Sequence, residues 1–261
     1  MRLNTKPLKL EYKNKKLFLN KVELKPSIRK LKDMKDVLMN PSFINEKNQD
    51  DVLYLMYRDL KRKEDKTLFK KYKVRYDITI IFPKLLGNEF NKTFGHVHPI
   101  AEKKLTYPEV YEILHGKALF ILQEFKNNIA RKVLLIFAKK NEKVLIPPNY
   151  GHVTVNIGKK DLIFSNLVSS NFSSVYEIYK EKRGAAIYIA RINNKLKIIR
   201  NENYNEDFEI KYIKAKELFN FPKENLYFSF IENPEFYKFL NKPSLIFKES
   251  KLLGTNRFFL Y

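Results

Sequence analysis

Residues 95–116, GHVHPIAEKKLTYPEVYEILHG, carry His96 and His98 one residue apart, and a third histidine, His152, follows in PPNYGHVTVN. Alternate residues on an extended backbone point to one side, so His96 and His98 can both reach a single ion. His152 opens a new run after Pro147 and Pro148, which stiffen its approach. Two glutamates compete for a fourth position. Glu102 lies in the charged stretch AEKKL, where a carboxylate is most simply solvated, whereas Glu109 opens an apolar strand directly after Pro108. A carboxylate entering a β-core needs a partner, because burying it alone is costly, and Glu109 is therefore the better ligand. Glu112 falls on the opposite face by its odd spacing and reads as structural or exposed. His115 shares Glu109's face but stands about 20 Å further along a regular strand, which leaves it out of the set. Three imidazoles and one carboxylate suit one divalent ion per subunit, Fe, Mn, Ni, Co or Zn, and such sites with open positions do chemistry more often than scaffolding.

The elements that must position these residues are short and β-rich. VRYDITIIFP (74–83) reads as a buried strand ended by Pro83. EVYEILHG, KALFILQEF, KVLLIFAKK, EKVLIPP, HVTVNIG and DLIFSNLVSS then follow between residues 109 and 170, separated by Gly, Asn and Pro turns. That rhythm belongs to an antiparallel sandwich or barrel. The first 45 residues suggest short strands or arms laid over a larger body, and the charge run in DVLYLMYRDLKRKEDKTLFKK (51–71) predicts a solvated loop or hairpin tip. EIYKEKRG (177–184) predicts one or two helical turns, residues 185–201 a hairpin turning at Asn193–Asn194, and ENPEFYKFLNK a short helix. The predicted organisation is an N-terminal arm over 1–71, a metal-binding domain with its closing hairpin over 72–204, and a Phe-rich C-terminal extension over 205–261 in which Pro222, Pro234 and Pro243 divide short segments.

Composition narrows the function further. The 261 residues are 44% hydrophobic and contain no cysteine, so a core is available while disulfides, thiolate chemistry and Cys-ligated metals are excluded. The formal charge of +22 first suggests nucleic acid. The lysines are spread over the whole length among Ile, Asn, Phe and Tyr, however, which is a bias of the entire chain and not a binding face. A pocket for a small phosphorylated substrate needs only one or two cationic groups. Residues 1–21 have charges throughout and no apolar h-region, and no window approaches the ~20 apolar residues of a membrane span, so the expectation is a soluble cytoplasmic protein.

His96–x–His98, Glu109 followed by six residues to Gly116, and His152–x₃–Asn156 behind Pro147 resemble the two signature motifs of the cupin superfamily. TFGHVH (93–98), PEVYEILHGKA (108–118), Gln123 and IPPNYGHVTVNIG (146–158) resemble the archaeal-type, cupin-fold glucose-6-phosphate isomerases. RKLKDM (30–35), DVLYLMY (51–57), ITIIFP (78–83) and residues 176–201 extend the match to roughly residues 25–204. The resemblance implies an all-β double-stranded β-helix (jelly roll) with an N-terminal strand arm and a small α+β appendage, usually a homodimer. It implies metal-dependent interconversion of glucose 6-phosphate and fructose 6-phosphate through a cis-enediol or a hydride shift. His96, His98, Glu109 and His152 correspond to the metal ligands, with Glu109 the base and Tyr54 or Tyr111 the carrier of a hydroxyl proton. Thr79, Thr93 and Gly95 correspond to the phosphate contacts, and Tyr54, Tyr111 and Tyr176 line the pocket. Two departures stand out: ten residues, not about six, separate His98 from Glu109, which adds a loop able to bring Lys103 or Lys104 toward phosphate, and Val168 stands where the family has a pocket tyrosine. The alternatives are another metal-cupin enzyme (a dioxygenase or a different sugar isomerase) and a non-catalytic sugar-phosphate-binding cupin.

Overall fold

The computed structural model describes residues 1–126 and 129–247. Its body is two facing sheets. The larger has six antiparallel strands in the order Lys143–Ile146, Glu109–His115, Leu162–Ser169, Val74–Ile81, Val52–Tyr57 and Ser27–Lys30. The smaller runs Tyr150–Asn156, Lys117–Lys126, Ile129–Lys139 and Glu209–Tyr212, the last joining in parallel. Between residues 109 and 169 the chain passes repeatedly from one sheet to the other, so sequence neighbours face each other across the core. The six-stranded sheet takes strands from both sides of residue 71, and the extension after 205 supplies an edge strand to the other sheet. The 185–201 hairpin forms as expected, with Ile187–Ile192 and Lys195–Arg200 joined at Asn193 and Asn194, both at positive φ (49° and 60°) as a two-residue hairpin turn requires.

Strand parity separates two cores. Even- and odd-numbered residues of the large sheet alternate between them: Tyr111, Ile113 and Phe164 belong to the core between the sheets. Val110, Ile78, Ile80 and Leu167 belong to a second core on the outer face. Because both faces are covered, a strand such as Leu162–Ser169 is buried at every position, and its sequence reads as a run without alternation.

The outer core is closed by the C-terminal extension. The helix Leu226–Glu232, capped by Asn225 accepting from the Phe228 N–H at 3.0 Å, lays the Tyr227 and Phe230 rings against Phe69, Tyr72 and Tyr76, and the 3-10 segment Pro234–Leu240 backs it with Tyr237 against Phe230. Here the expected solvated loop over 61–71 is corrected: Lys66–Tyr72 is an α-helix ended by Lys73 in the left-handed region at φ 49°. Its Phe69 packs at 4.7 Å from Phe230, so a partner some 160 residues away in sequence orders a segment whose local composition is mostly charge. With this helix, Glu177–Glu181, Ala215–Leu218 and Leu226–Glu232 present, the all-β expectation becomes a largely β-stranded fold with short helices. Among the described residues no helix is long and apolar enough to cross a membrane.

Candidate metal centre and the cleft beside it

His96 and His98 come from an extended segment that lies antiparallel on the strand Tyr150–Asn156. His96 pairs directly with His152, exchanging both backbone hydrogen bonds at 3.3 and 3.0 Å. Gly95, just before, is at φ +88°, and a Cβ there would lie 2.5 Å from the Tyr179 ring, so only glycine lets the segment sit this close. Glu109 projects from the facing sheet. One donor atom from each of His96, His98, Glu109 and His152 lies within 4.8 Å of the others.

The spacing fits one ion. His96 Nε2 and His98 Nε2 are 3.2 Å apart, and Glu109 Oε2 stands 3.4 Å from His98 Nε2 and 3.3 Å from His152 Nε2. Two donors each about 2.1 Å from a shared ion, at near-tetrahedral or near-octahedral angles, have just such separations. The supporting bonds are in place as well. His98 Nδ1 donates to the Tyr107 carbonyl at 2.7 Å, which turns its Nε2 lone pair toward the cluster. Asn166 Nδ2 donates to Glu109 Oε1 at 2.7 Å, and the Tyr111 hydroxyl donates to Oε2 at 3.1 Å.

Electrostatics sets the protonation state an ion requires. Burial pushes His96 well below the usual imidazole range, and its neighbours His152 and His98 push the same way. Burial takes His98 down to about 4, against an opposing pull from Glu109. For Glu109 burial alone would raise the pKa, but the hydrogen bond to His152 leads the opposing influences, and on balance the carboxylate is held below its ordinary value. Neutral imidazoles and an ionised carboxylate are the ligating forms. This buried cluster can therefore coordinate a single divalent ion.

A cleft opens beside the cluster. Tyr54, Thr79, Thr93, Gly95, Tyr111 and Tyr176, named from the resemblance, all line it together with His96, His98 and Glu109. Thr93 Oγ1 accepts from the Thr154 N–H at 2.9 Å, and the Tyr176 ring stands edge-on to Phe94 at 5.5 Å. Val168 also lines the cleft, opposite Glu109 in the strand register. Lys103 and Lys104 do not; they are exposed at the turn between Ile100–Glu102 and Leu105–Thr106. Glu102 sits apart from the metal cluster and accepts from the Ser244 N–H at 2.6 Å, held by the extension and not in a free loop. The cleft's positive charge comes from residues that sequence reasoning missed: Arg29, Arg58 and Arg75. Stepping two residues at a time back from Thr79 reaches Asp77 and Arg75, and two at a time on from Tyr54 reaches Met56 and Arg58. That period was the available signal.

Comparison with known proteins points to one family. The family model described as glucose-6-phosphate isomerase (GPI) matches residues 28–207. The glucose-6-phosphate isomerase of Pyrococcus furiosus is 28% identical over 189 residues, covering 69% of this chain and 88% of that protein. That of Thermococcus litoralis is 29% identical over 167 residues, covering 63% and 80%. Among solved structures, the oxalate decarboxylase of Lactobacillus farciminis matches 47% of this chain and 30% of that one, at 20% identity and a TM-score of 0.33, a likeness too slight to bear on function. With the family model covering most of its length, the chain belongs to the glucose-6-phosphate isomerase (GPI) family.

Proposed function

We propose that the protein is a metal-dependent aldose–ketose isomerase interconverting glucose 6-phosphate and fructose 6-phosphate, built on a cupin double-stranded β-helix. The observation that carries this reading is the sharing of one cleft by the four-donor cluster and by a group of residues suited to phosphate. Thr79, Thr93 and the Gly95 N–H are neutral donors for phosphate oxygens. Arg29 adds charge: its guanidinium lies over the Tyr54 and Phe94 rings at 5.9 and 5.5 Å, and its buried Nε has no partner among the described residues. A substrate phosphate would satisfy that nitrogen through a charge-assisted hydrogen bond.

When bound by His96, His98, Glu109 and His152, a divalent ion supplies Lewis-acid polarisation of the substrate carbonyl. The chain's own groups do the rest. The Thr79–Thr93–Gly95–Arg29 end holds the phosphate and fixes the direction of the sugar. Tyr54 and Tyr176 wall the cleft. Glu109, kept ionised, takes the proton from C2 and returns it to C1 in the cis-enediol route. The Tyr111 hydroxyl, 3.1 Å from Glu109 Oε2 and 3.0 Å from His152 Nε2, carries the hydroxyl proton between O2 and O1. In the hydride-shift route Glu109 serves only as a ligand, and the C2 hydrogen stays with the substrate.

The test is coupled turnover of fructose 6-phosphate before and after EDTA, with Mn²⁺, Fe²⁺, Ni²⁺ and Zn²⁺ restored separately. Activity should vanish on chelation, return with at least one ion, fall by more than about 100-fold in Glu109→Gln and survive Glu102→Gln. Solvent deuterium appearing at C1 or C2 selects the enediol route. A folded, metal-bound protein that turns over nothing with any ion would sink the reading, and Val168 and the enlarged 99–108 loop would then mark where the substrate differs.

A further inference from the structure

Asp77 is fully buried and sits on the cleft-facing side of its strand. Its Oδ2 accepts from Arg58 Nη1 at 2.8 Å and from Arg75 Nε at 2.9 Å, and its Oδ1 from the Asp59 N–H at 2.8 Å. Two guanidinium groups thus share this one carboxylate. Arg75 spends only its Nε on the protein. Neither of its terminal nitrogens has a partner among the described residues, and the residue lines the cleft.

The register fixes which end of the cleft this charge serves. Glu109 pairs with Val168, and Val168 pairs with Arg75, so these three form one row across the sheet, all on the inner face. The next row is Tyr111, Asn166 and Asp77, with Thr79 one row beyond Asp77. Thr79 is four residues from Arg75, about 13 Å along a strand. Arg75 is therefore level with the metal cluster, whereas Arg29, paired with Tyr54, belongs to the phosphate end. Between Glu109 and Arg75 the row holds only the apolar Val168, which also lines the cleft.

We infer that Arg75 is a catalytic residue of the isomerisation: its two free terminal N–H groups receive the vicinal substrate oxygens O1 and O2 as negative charge develops on them, while Asp77 and Arg58 act as positioning residues that brace it. A guanidinium offers two parallel donors at the spacing of two syn oxygens, the pattern shared by a carboxylate and a cis-enediolate. Fixed by Asp77, it meets that charge without reorganising, which is the condition for transition-state stabilisation. No bond is made or broken by Arg75. The inference rests on the isomerase reading above and goes beyond it by naming a charge that the metal cluster does not supply.

The experiment uses two phosphorylated probes on the metal-loaded protein, titrated by calorimetry. Arabinonate 5-phosphate carries a carboxylate where the enediolate would be; glucitol 6-phosphate carries the phosphate and only hydroxyls. Arg75→Gln should weaken the aldonate by about 100-fold and the alditol by less than about threefold, with kcat falling by a similar factor of about 100 and KM nearly unchanged. Arg75→Lys, which keeps charge but loses the fork, should fall between, and it stands in if the glutamine variant fails to fold. Asp77→Asn should show the same selectivity at smaller size. Equal losses for both probes, or none, overturn the inference while leaving the isomerase reading intact. A wild-type protein that binds neither probe overturns both.

Discussion

The strand Glu109–His115 places two buried glutamates on opposite faces of one sheet, and they behave in opposite ways. Glu109, facing the cleft, has each carboxylate oxygen engaged by a side chain and three imidazoles beside it, and its pKa is held down. Glu112, facing the outer core, accepts from the Leu226 N–H at 2.6 Å and has Lys143 no closer than 3.8 Å. Burial pushes it up to about 7, only partly opposed by Lys143, which burial itself pulls below the usual lysine range. Depth is the same for both, with 4% and 1% of their surface exposed, so the difference lies in partners. A buried charge is tolerated where preorganised groups replace its water, and drifts toward neutrality where they do not.

The largest test of this contrast is metal content. Glu109→Ala should lower divalent-ion affinity by at least about 100-fold, measured by competition with a chelator, while Glu112→Gln leaves it unchanged; loss in both would erase the distinction between the faces. Next in size is stability against pH. Glu112 binds its proton more tightly folded than unfolded, so between its ordinary pKa of 4.5 and the folded value of about 7 the native state holds more protons and stability falls as pH rises. Glu112→Gln, which still accepts from Leu226, should flatten that decline and gain roughly 2–3 kcal/mol over wild type at pH 8. Denaturation midpoints at pH 5 and pH 8 decide it, and an unchanged slope would mean the charge is relieved by something other than protonation. The smallest effect is expected at Glu102, where Glu102→Gln keeps an oxygen to accept from the Ser244 N–H but loses the charge assistance of that exposed bond, and should cost less than about 1 kcal/mol by the same midpoints.

How legible was all this in the sequence? His96, His98, Glu109 and His152 were readable because period-two spacing, the prolines ahead of Glu109 and His152 and the cost of burying a charge act locally. Glu112's assignment to the opposite face followed from the same parity, but its burial did not, since what covers it, Leu226, lies 114 residues away. Arg75 and Asp77 were within reach by parity from Thr79 and were passed over, because their rank in the site depends on the register that sets Val168 between Arg75 and Glu109. The helix Lys66–Tyr72 was illegible for a different reason. Its charged composition argued for solvent, and only the aromatic surface of the extension overrides that.

The extension also has a consequence in time. It closes the outer core by bonds to widely separated places: Asn225 to the Lys6 carbonyl, Tyr227 to Asp65 and Arg62, Asn241 to Tyr72, and Ser244 to Glu102. A chain emerging from the ribosome amino end first can assemble the cleft face before residues 226–247 exist. Until they are made, the outer core, which Leu8, Leu10 and Leu17 of the N-terminal arm share, lacks Leu226, Tyr227, Phe230 and Tyr237, and the apolar surface these cover stays open to passing molecules. Residues 226–247, made after every strand of that sheet, are the ones that make the nascent chain safe from its neighbours.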